Sequence, residues 1–377
     1  MMNASTRVRR GTWREEDCIE SRPRFHASRQ RRGCPVTVDR SLVHKILVIK
    51  LRAVGDVLLS TVVTKNLRLA FPDAQIDYLT EPPSVDVLSG NPFLNHIHVH
   101  DRLKMTGVKL VRLIRDQRYD LVIDLFGNPR TALITRLSGA RYRAGYRFRG
   151  RTYAYNIMTE PRGAAVHNTQ FNLDALEAIG IAIQDRNIYF QFAPEDDAYV
   201  SEVLSRAGVS DQFLVGVNTG GGWYTKRWGL DRYAELADRL VDTYRATIVL
   251  TWGPGQLPEV EKIQSLMKHK PFIPPATSLK QLGALLKRCR CVISNDSGPM
   301  HIAAAVGTPV LGIYGPTSPV LQGPFGDKHV TVTKEGLDCL GCNYTTCPIG
   351  HPCMLELSVD VVMEGVRQLL KKNNLVP

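Results

Sequence analysis

The 377-residue sequence has few cysteines and no long apolar run, and each shortage excludes a class of protein. Eight cysteines are too few for a disulfide scaffold, and four of them fall between positions 339 and 353. No stretch approaches the roughly 18 apolar residues of a membrane-spanning helix. With 44% hydrophobic and 22% charged residues, the composition excludes collagen-like, coiled-coil and largely disordered chains. A cytosolic protein with one local cysteine site fits best.

Positive charge is in surplus. Forty-eight Lys and Arg against 36 Asp and Glu give a net charge of +12, which favours anionic partners: nucleotide phosphates, phospholipid headgroups, acidic glycolipids or nucleic acid. Residues 1–40 contain ten Arg, no Lys and five acidic residues, with almost no apolar periodicity. We expect residues 1–42 to be a basic, disordered tail outside the fold.

From residue 45 onwards, short apolar runs alternate with helix-like segments in two series. Repeated βα units of this kind predict an α/β fold with parallel sheets, in two doubly wound domains that face a cleft. We expect the first domain at 43–192, a linker at 193–211, the second domain at 212–357 and a last helical segment at 358–377. Ligands of such sheets bind beyond the carboxyl ends of the strands, so the functional motifs are expected in strand-to-helix loops.

The stretch from Ser294 to Val310, S-N-D-S-G-P-M-H-I-A-A-A-V-G-T-P-V, is the most specific in the chain. It predicts a strand end, a polar turn and a helix that begins near Pro299, is capped by Ser297 and ends at Gly307. Free backbone N–H groups and the helix dipole then lie at the end of the strand, which is a ready anion site. Any α/β protein can have such a helix, but His301 in the first turn shifts the interpretation towards phosphate binding.

Two further loops carry charged residues. N-T-G-G-G-W-Y-T-K-R-W (218–228) has three glycines that let the backbone approach a ligand, and Lys226 or Arg227 can neutralise a phosphate. It is not a Walker A loop, the chain has no G-x-G-x-x-G fingerprint, and a flexible surface loop is the alternative. K-L-R-A-V-G-D (50–56) ends in Asp56, which can be a general base facing the cleft or simply a helix N-cap.

Four blocks in this order resemble glycosyltransferase family 9, the ADP-heptose:lipopolysaccharide heptosyltransferases, over about residues 45–370. They are K-L-R-A-V-G-D-V-L-L-S (50–60), T-K-R-W (225–228), N-D-S-G-P-M-H-I-A-A-A (295–305) and G-T-P-V-L-G-I-Y-G-P-T-S-P (307–319). The resemblance implies a GT-B fold of two Rossmann-like domains, with the acceptor in the first and ADP-heptose in the second. It also implies an inverting, metal-independent transfer of heptose from ADP-L-glycero-D-manno-heptose to the lipopolysaccharide inner core.

The resemblance also assigns roles to residues. Asp56 matches the family's proposed base for the acceptor hydroxyl. The family often places a Glu directly after a W-G pair to contact the ribose, whereas here Trp252-Gly253 runs into Pro254 and the nearest acid is Glu259. The residues that match the nucleotide-sugar site are Thr225, Lys226, Asp296, Ser297, Gly298 and His301.

The expected chemistry needs no cofactor. Lys226 and the helix near Pro299 can stabilise the leaving ADP, and the chain lacks the D-x-D pair common in metal-dependent sugar transferases. The expected partners are ADP-heptose and a lipopolysaccharide core acceptor at the inner-membrane surface, with no nucleic acid. The expected location is the cytoplasm or, peripherally, the cytoplasmic face of the inner membrane. The alternatives are a GT-B transferase with another nucleotide sugar or a protein acceptor, and a non-catalytic nucleotide- or RNA-binding protein.

The stretch R-Y-R-A-G-Y-R-F-R-G-R (141–151) interleaves five arginines with aromatic residues. Such a pattern suits nucleic acid, and it also fits a solvated strand face. Because it belongs to the acceptor-side domain, we expect Arg141, Arg143 and Arg147 to contact an anionic glycolipid.

The clustered cysteines are Cys339, Cys342, Cys347 and Cys353, with His351 nearby. Four such side chains can hold a structural zinc ion or an iron–sulfur cluster, and reduced thiols or a local disulfide are the alternatives. A metal here would contribute folding energy to an irregular segment before the last helix. We expect that helix, about residues 359–370, to cross back to the first domain.

Overall fold

Two parallel β-sheets, each covered by helices, make up the part of the chain that the computed structural model describes, residues 37–163 and 166–375. Most of the predicted tail, 1–42, lies outside these residues. The prediction ends the tail slightly too late, since Arg40 Nη2 already donates to the carbonyl of Gly180 at 2.8 Å.

The first sheet has the strand order β3-β2-β1-β4-β5-β6, and all its strands are parallel. This is the Rossmann order, in which the chain reverses its direction of winding between β1 and β4. The strands are β1 (Lys45–Ile49), β2 (Gln75–Thr80), β3 (His96–Val99), β4 (Leu121–Asp124), β5 (Tyr142–Tyr146) and β6 (Ile157–Thr159).

Helices cover both faces of this sheet because its central strands are apolar on both sides. Along β1, Ile46 and Val48 pack into the core that includes α1, α2 and α6, while Leu47 and Ile49 pack against α4 on the opposite face. The helices are α1 (Val54–Ser60), α2 (Val62–Ala70), α3 (Val85–Leu88), α4 (Gly107–Asp116), α5 (Pro129–Leu137) and α6 (Asn168–Glu177).

The second sheet has the order β11-β10-β9-β7-β8, again all parallel, and its switch point lies between β7 and β9. Its strands are β7 (Leu214–Asn218), β8 (Thr247–Thr251), β9 (Cys291–Asn295), β10 (Val310–Tyr314) and β11 (Val330–Thr333). Its helices are α7 (Pro194–Arg206), α8 (Leu230–Tyr244), α9 (Leu257–Leu266), α10 (Leu279–Arg288), α11 (Gly298–Ala305), α12 (Pro319–Gln322), α13 (Pro352–Leu355) and α14 (Val359–Lys372).

The fold class predicted from the sequence, two Rossmann-like parallel-sheet domains facing a cleft, is confirmed. The two halves meet where α1 packs against α11, and Leu58 of α1 shares one buried cluster with Met300 and Ile302 of α11. The strand-to-helix loops of both sheets therefore face each other.

Two boundaries differ from the prediction. The expected linker at 193–211 contains α7, whose Val200 and Leu204 are buried and which packs on α10 of the second domain. The link is instead the extended stretch 181–193, which has neither helix nor strand. The last helix does not return to the first domain: α14 packs on β10, β11 and α8, because Val362, Val366 and Leu369 form its apolar stripe. Within the described residues, no helix has the length and apolar character needed to span a bilayer.

Candidate active site

The candidate site lies where the carboxyl ends of β1, β7 and β9 meet across the cleft. The first turn of α1, after β1, carries Asp56, and the loop after β7 carries Lys226. After β9, the turn carries Asp296 and the first turn of α11 carries His301. These loops lie at the switch points of the two sheets, where open α/β folds bind ligands. The structure thus brings together the loops that the sequence singles out.

Asp56 lies in the first turn of α1, and one of its oxygens caps that helix. The backbone N–H of Ala53 donates to Asp56 Oδ2 at 3.1 Å, which leaves Oδ1 without a hydrogen bond from the described residues. At the other end of the same loop, Lys50 Nζ donates to the carbonyl of Leu125 at 3.0 Å. Burial lowers the pKa of the Lys50 ammonium, and the charges of Asp56 and Asp124 oppose that effect. Capping and base catalysis are therefore compatible roles for Asp56.

Two glycines allow α1 and α11 to approach each other closely. A Cβ at Gly55 would lie 2.6 Å from Cδ2 of His301, and a Cβ at Gly298 would lie 3.1 Å from Cγ1 of Val54. Asp56 is the next residue after Gly55. Close contact between the two helix N-termini thus places the candidate base directly opposite the candidate phosphate site.

His301 is buried at this contact and keeps a neutral ring. Burial lowers its pKa to about 4, although the nearby charges of Asp296 and Asp56 act in the opposite direction. Its Nε2 lies 3.9 Å from Asp296 Oδ1, and its buried Nδ1 has no hydrogen-bond partner among the described residues. At neutral pH His301 can therefore offer one hydrogen bond to a ligand and no positive charge.

Lys226 supplies the positive charge on the donor side. Its Nζ donates to Asp296 Oδ2 at 2.7 Å and lies 4.5 Å from the ring centroid of Trp223. Asp296 is almost fully buried, and its ion pair with Lys226 neutralises the carboxylate just before the N-terminus of α11. The ammonium is held by Asp296, which directly precedes the N-cap residue of α11, and a cation near a helix N-terminus is an arrangement that suits an anion.

Two asparagines that the sequence analysis did not single out hold these loops together. Asn218 Nδ2 donates to Ser294 Oγ at 3.0 Å and to Ser297 Oγ at 2.9 Å. Asn295 Nδ2 donates to the carbonyl of Thr219 at 2.8 Å. The predicted cap is accordingly wrong in detail: Ser297 has the N-cap position, but its hydroxyl makes no capping bond to α11. The only signal in the sequence is a polar residue at the end of each buried strand.

Glu259 is the acidic residue nearest in sequence to the Trp252-Gly253 pair. An ion pair with Arg227 connects it to the glycine-rich loop at 218–228. Arg227 Nη1 donates to Glu259 Oε1 at 2.5 Å, and Arg227 Nε donates to the carbonyl of Gly221 at 3.2 Å. Glu259 Oε2 is buried without a partner among the described residues. The chain therefore places a carboxylate beside the glycine loop, although not at the position that the family resemblance leads one to expect.

The three arginines predicted to bind the acceptor do not share one location. Arg141 precedes β5 and lies at the amino edge of the first sheet, opposite to Asp56. Arg143 is half-buried and donates to the carbonyls of Ala140 and Ala154, at 2.6 and 3.0 Å, so its role in the structure is internal. Arg147 follows β5 at the carboxyl edge, where it pairs with Glu160. Of the three, Arg147 alone remains a candidate for acceptor binding.

A second charged cluster at the carboxyl edge of the first sheet was missed. Glu81, just after β2, is buried and accepts from Arg102 Nε at 3.0 Å and from Arg130 Nη2. These contacts lower the pKa of the Glu81 carboxyl below its ordinary value against the effect of burial. Arg102 and Arg130 are far apart in sequence from each other and from Glu81, so no local motif could reveal this cluster.

The cysteine segment contacts the donor loops. Thr225 Oγ1 donates to the carbonyl of Tyr344 at 2.9 Å, and His351 hydrogen-bonds the carbonyl of Thr225. Beyond the 219–228 loop, the N–H of Asn343 donates to the carbonyl of Pro316 at 2.6 Å. The segment at 339–353 therefore supports two loops of the second domain. The hydroxyl of Thr225 is engaged in one of these structural contacts, with the carbonyl of Tyr344.

The four thiols are free, and burial, with a further contribution from Cys339, Cys342 and Cys347, raises the pKa of Cys353 to about 11. Among the described residues, no three Cys, His, Asp or Glu side chains are arranged to hold a metal ion. The metal site stays a prediction, and elemental analysis of the purified protein is its test.

The contact between Gly55 and His301 yields a first mutational prediction. Alanine usually stabilises a helix relative to glycine by about 1 kcal/mol. At Gly55, however, the added methyl group must displace the buried His301 ring. We expect Gly55→Ala to lower kcat/KM at least about tenfold, since small misplacements of reacting groups are costly, and to lower Tm. Gly107→Ala, at the start of α4 with open space around it, is the matched control. Equal activity of both variants would contradict the prediction.

Comparisons with known proteins agree with this geometry. The model of glycosyltransferase family 9 (heptosyltransferase) matches residues 108–352. Lipopolysaccharide heptosyltransferase 3 of Escherichia coli K12 is 30% identical over 313 residues, which cover 79% of this chain and 88% of that protein. The solved family 9 glycosyl transferase from Veillonella parvula has a TM-score of 0.73 at 25% identity, covering 87% of this chain and 97% of that one. E. coli ADP-heptose LPS heptosyltransferase II has a TM-score of 0.69 at 23% identity, covering 88% and 99%.

Proposed function

Since the chain belongs to glycosyltransferase family 9, the heptosyltransferases, we propose that it transfers heptose from ADP-heptose to the lipopolysaccharide inner core. The observation that carries the proposal is the contact of α1 with α11, which sets Asp56 opposite Lys226, Asp296 and His301. One side of the cleft offers a carboxylate and the other an anion site. A transferase needs this pairing, whereas a nucleotide-binding protein without activity needs Asp56 only as the cap of α1.

The proposed reaction is a single displacement with inversion at the anomeric carbon. Asp56 Oδ1 takes the proton from an acceptor hydroxyl as the oxygen attacks the anomeric carbon. The bond from that carbon to the β-phosphate oxygen breaks, and ADP leaves with the bonding electrons. Lys226 and the N–H groups of α11 stabilise the negative charge on ADP, and neutral His301 adds a hydrogen bond. In this proposal the protein's own cation and helix dipole take the part that a divalent ion has in metal-dependent transferases.

A donor assay with purified full-length protein tests the proposal. ADP-heptose with lipid-linked core acceptors of increasing length should give transfer, with an anomeric configuration opposite to that of the donor. We expect the rate to be unchanged by EDTA. Activity that is lost on chelation and restored by Mg²⁺ would overturn the metal-independent mechanism. Preference for another nucleotide sugar or for a protein acceptor would move the chain to the alternative within the GT-B transferases.

The acceptor's chemistry also determines the proposed location. A lipid-linked core is held at a membrane, so we propose that the protein acts at the cytoplasmic face of the inner membrane as a peripheral enzyme. No nucleic-acid partner is needed for this role.

A further inference from the structure

One stretch of the first domain carries a large excess of positive charge. Residues 102–151 contain thirteen Lys and Arg, three Asp and no Glu, whereas the whole chain has a net charge of +12. Among the described residues, Arg102, Lys104, Arg130 and Arg147 are the cations of this stretch that form ion pairs. The remaining charge is not neutralised within the described structure and calls for an anionic partner.

Much of this charge lies on one face of the first sheet, together with exposed apolar side chains. The loop before α4 carries Leu103, which is 96% exposed, and α4 begins with Val108, which is 80% exposed. Helix α5 packs beside α4 and exposes Leu133 as well. We call this surface the α4–α5 face. Its main exposed residues are Leu103, Val108, Arg112, Arg115, Leu133 and Arg136.

Helix α4 presents one apolar and two cationic side chains to solvent along one stripe. Val108, Arg112 and Arg115 follow one exposed stripe, while Leu110 and Ile114 are buried against the sheet. Exposed aliphatic groups surrounded by cations suit the boundary between headgroups and acyl chains of an anionic bilayer. Single-stranded nucleic acid is bound mainly by aromatic platforms, and the most exposed apolar residues here are Leu103 and Val108.

The α4–α5 face also borders the edge of the sheet where the chemistry is placed. The loop with Leu103 follows β3, α5 begins just after β4, and α1 with Asp56 follows β1. Since the strands are parallel, all three positions lie at the carboxyl edge. We propose that the α4–α5 face docks on an anionic lipid bilayer and presents the sugars of a membrane-held acceptor to Asp56. This rests on the proposed function, which supplies an acceptor held in a membrane.

Vesicle sedimentation with the full-length protein tests the docking surface. The probes are vesicles of phosphatidylethanolamine with a minor part of phosphatidylglycerol, and vesicles of phosphatidylcholine alone. Val108→Ser/Arg112→Glu removes one exposed apolar and one cationic group four residues apart on α4. The matched control is Lys262→Glu/Leu266→Ser, the same spacing on exposed positions of α9. Leu103→Ser serves as a second test variant in the loop, and thermal melting verifies folding.

We expect the wild type to bind the anionic vesicles in a salt-dependent way and the phosphatidylcholine vesicles weakly. Val108→Ser/Arg112→Glu should lose about tenfold in vesicle affinity or more, and Leu103→Ser should lose affinity as well. The control should bind as the wild type does. Transfer to a delipidated core oligosaccharide should be equal in all variants, and transfer to a vesicle-held acceptor should fall in the test variants alone.

Equal vesicle binding by test and control variants would overturn the proposal, as would a wild type that ignores anionic vesicles. Tighter binding of a single-stranded oligonucleotide, lost in Val108→Ser/Arg112→Glu, would overturn it in favour of nucleic acid. Absence of transfer to the delipidated acceptor contradicts the proposed function instead, so the two failures are distinguishable.

Discussion

Replacing Asp56 by asparagine is expected to lower turnover at least about a hundredfold, because the acceptor hydroxyl loses its base. The affinity for ADP-heptose should stay close to wild type, since Asp56 lies on the acceptor side of the contact between α1 and α11. Rapid-quench measurement of kcat, together with donor affinity from calorimetry, separates the two quantities.

The structure explains why asparagine is the informative replacement. Asp56 Oδ2 accepts from the N–H of Ala53, and the carbonyl oxygen of an asparagine can accept the same bond. Helix α1 thus keeps its cap, whereas Asp56→Ala would lose the cap, at about 1 kcal/mol, as well as the base. A purely structural Asp56 predicts full activity in Asp56→Asn and a lower Tm in Asp56→Ala. Asp73→Asn, at an exposed position of the same domain, is the control for carboxylate loss.

The sequence predicted the central strands well because their physical signal is strong. Parallel strands such as β1, β4 and β10 are buried on both faces, so they read as short continuous apolar runs. Strands β5, β6 and β11 were not predicted. β5 (Y-R-A-G-Y) has a charged residue and a glycine, and β11 (V-T-V-T) is only partly buried. Such composition fits loops and surface strands equally well.

The candidate site was predictable to the level of its loops and no further. Parallel topology places Asp56, Lys226 and His301 at strand ends, so their proximity follows from the strand order. Which side chains form ion pairs with one another does not follow from the strand order. The ion pair of Lys226 with Asp296 joins residues that are 70 positions apart, and the Glu81 cluster joins three separate segments of the chain. The position of Arg141 and the packing of α14 both depend on which side of a sheet a segment meets, which residue spacing does not encode.

Lys226→Ala is expected to reduce kcat/KM by about a hundredfold or more, because the cation acts on the bound diphosphate and on the departing ADP. ADP binding should weaken together with turnover. The variant also leaves Asp296 buried without its partner, which by itself destabilises the fold. Loss of activity in Lys226→Ala is therefore open to two explanations, one chemical and one structural.

A double variant distinguishes them. Lys226→Ala/Asp296→Asn removes both charges, so Tm should recover towards the wild-type value while kcat/KM stays low. Asp296→Asn alone keeps the ammonium at the mouth of α11 and should retain more activity than the double variant. If the double variant regained wild-type kcat/KM, the sole role of Lys226 would be to neutralise Asp296. The stabilisation of ADP would then depend on the N–H groups of α11 and on His301, whose neutral ring can donate a hydrogen bond but contributes no charge.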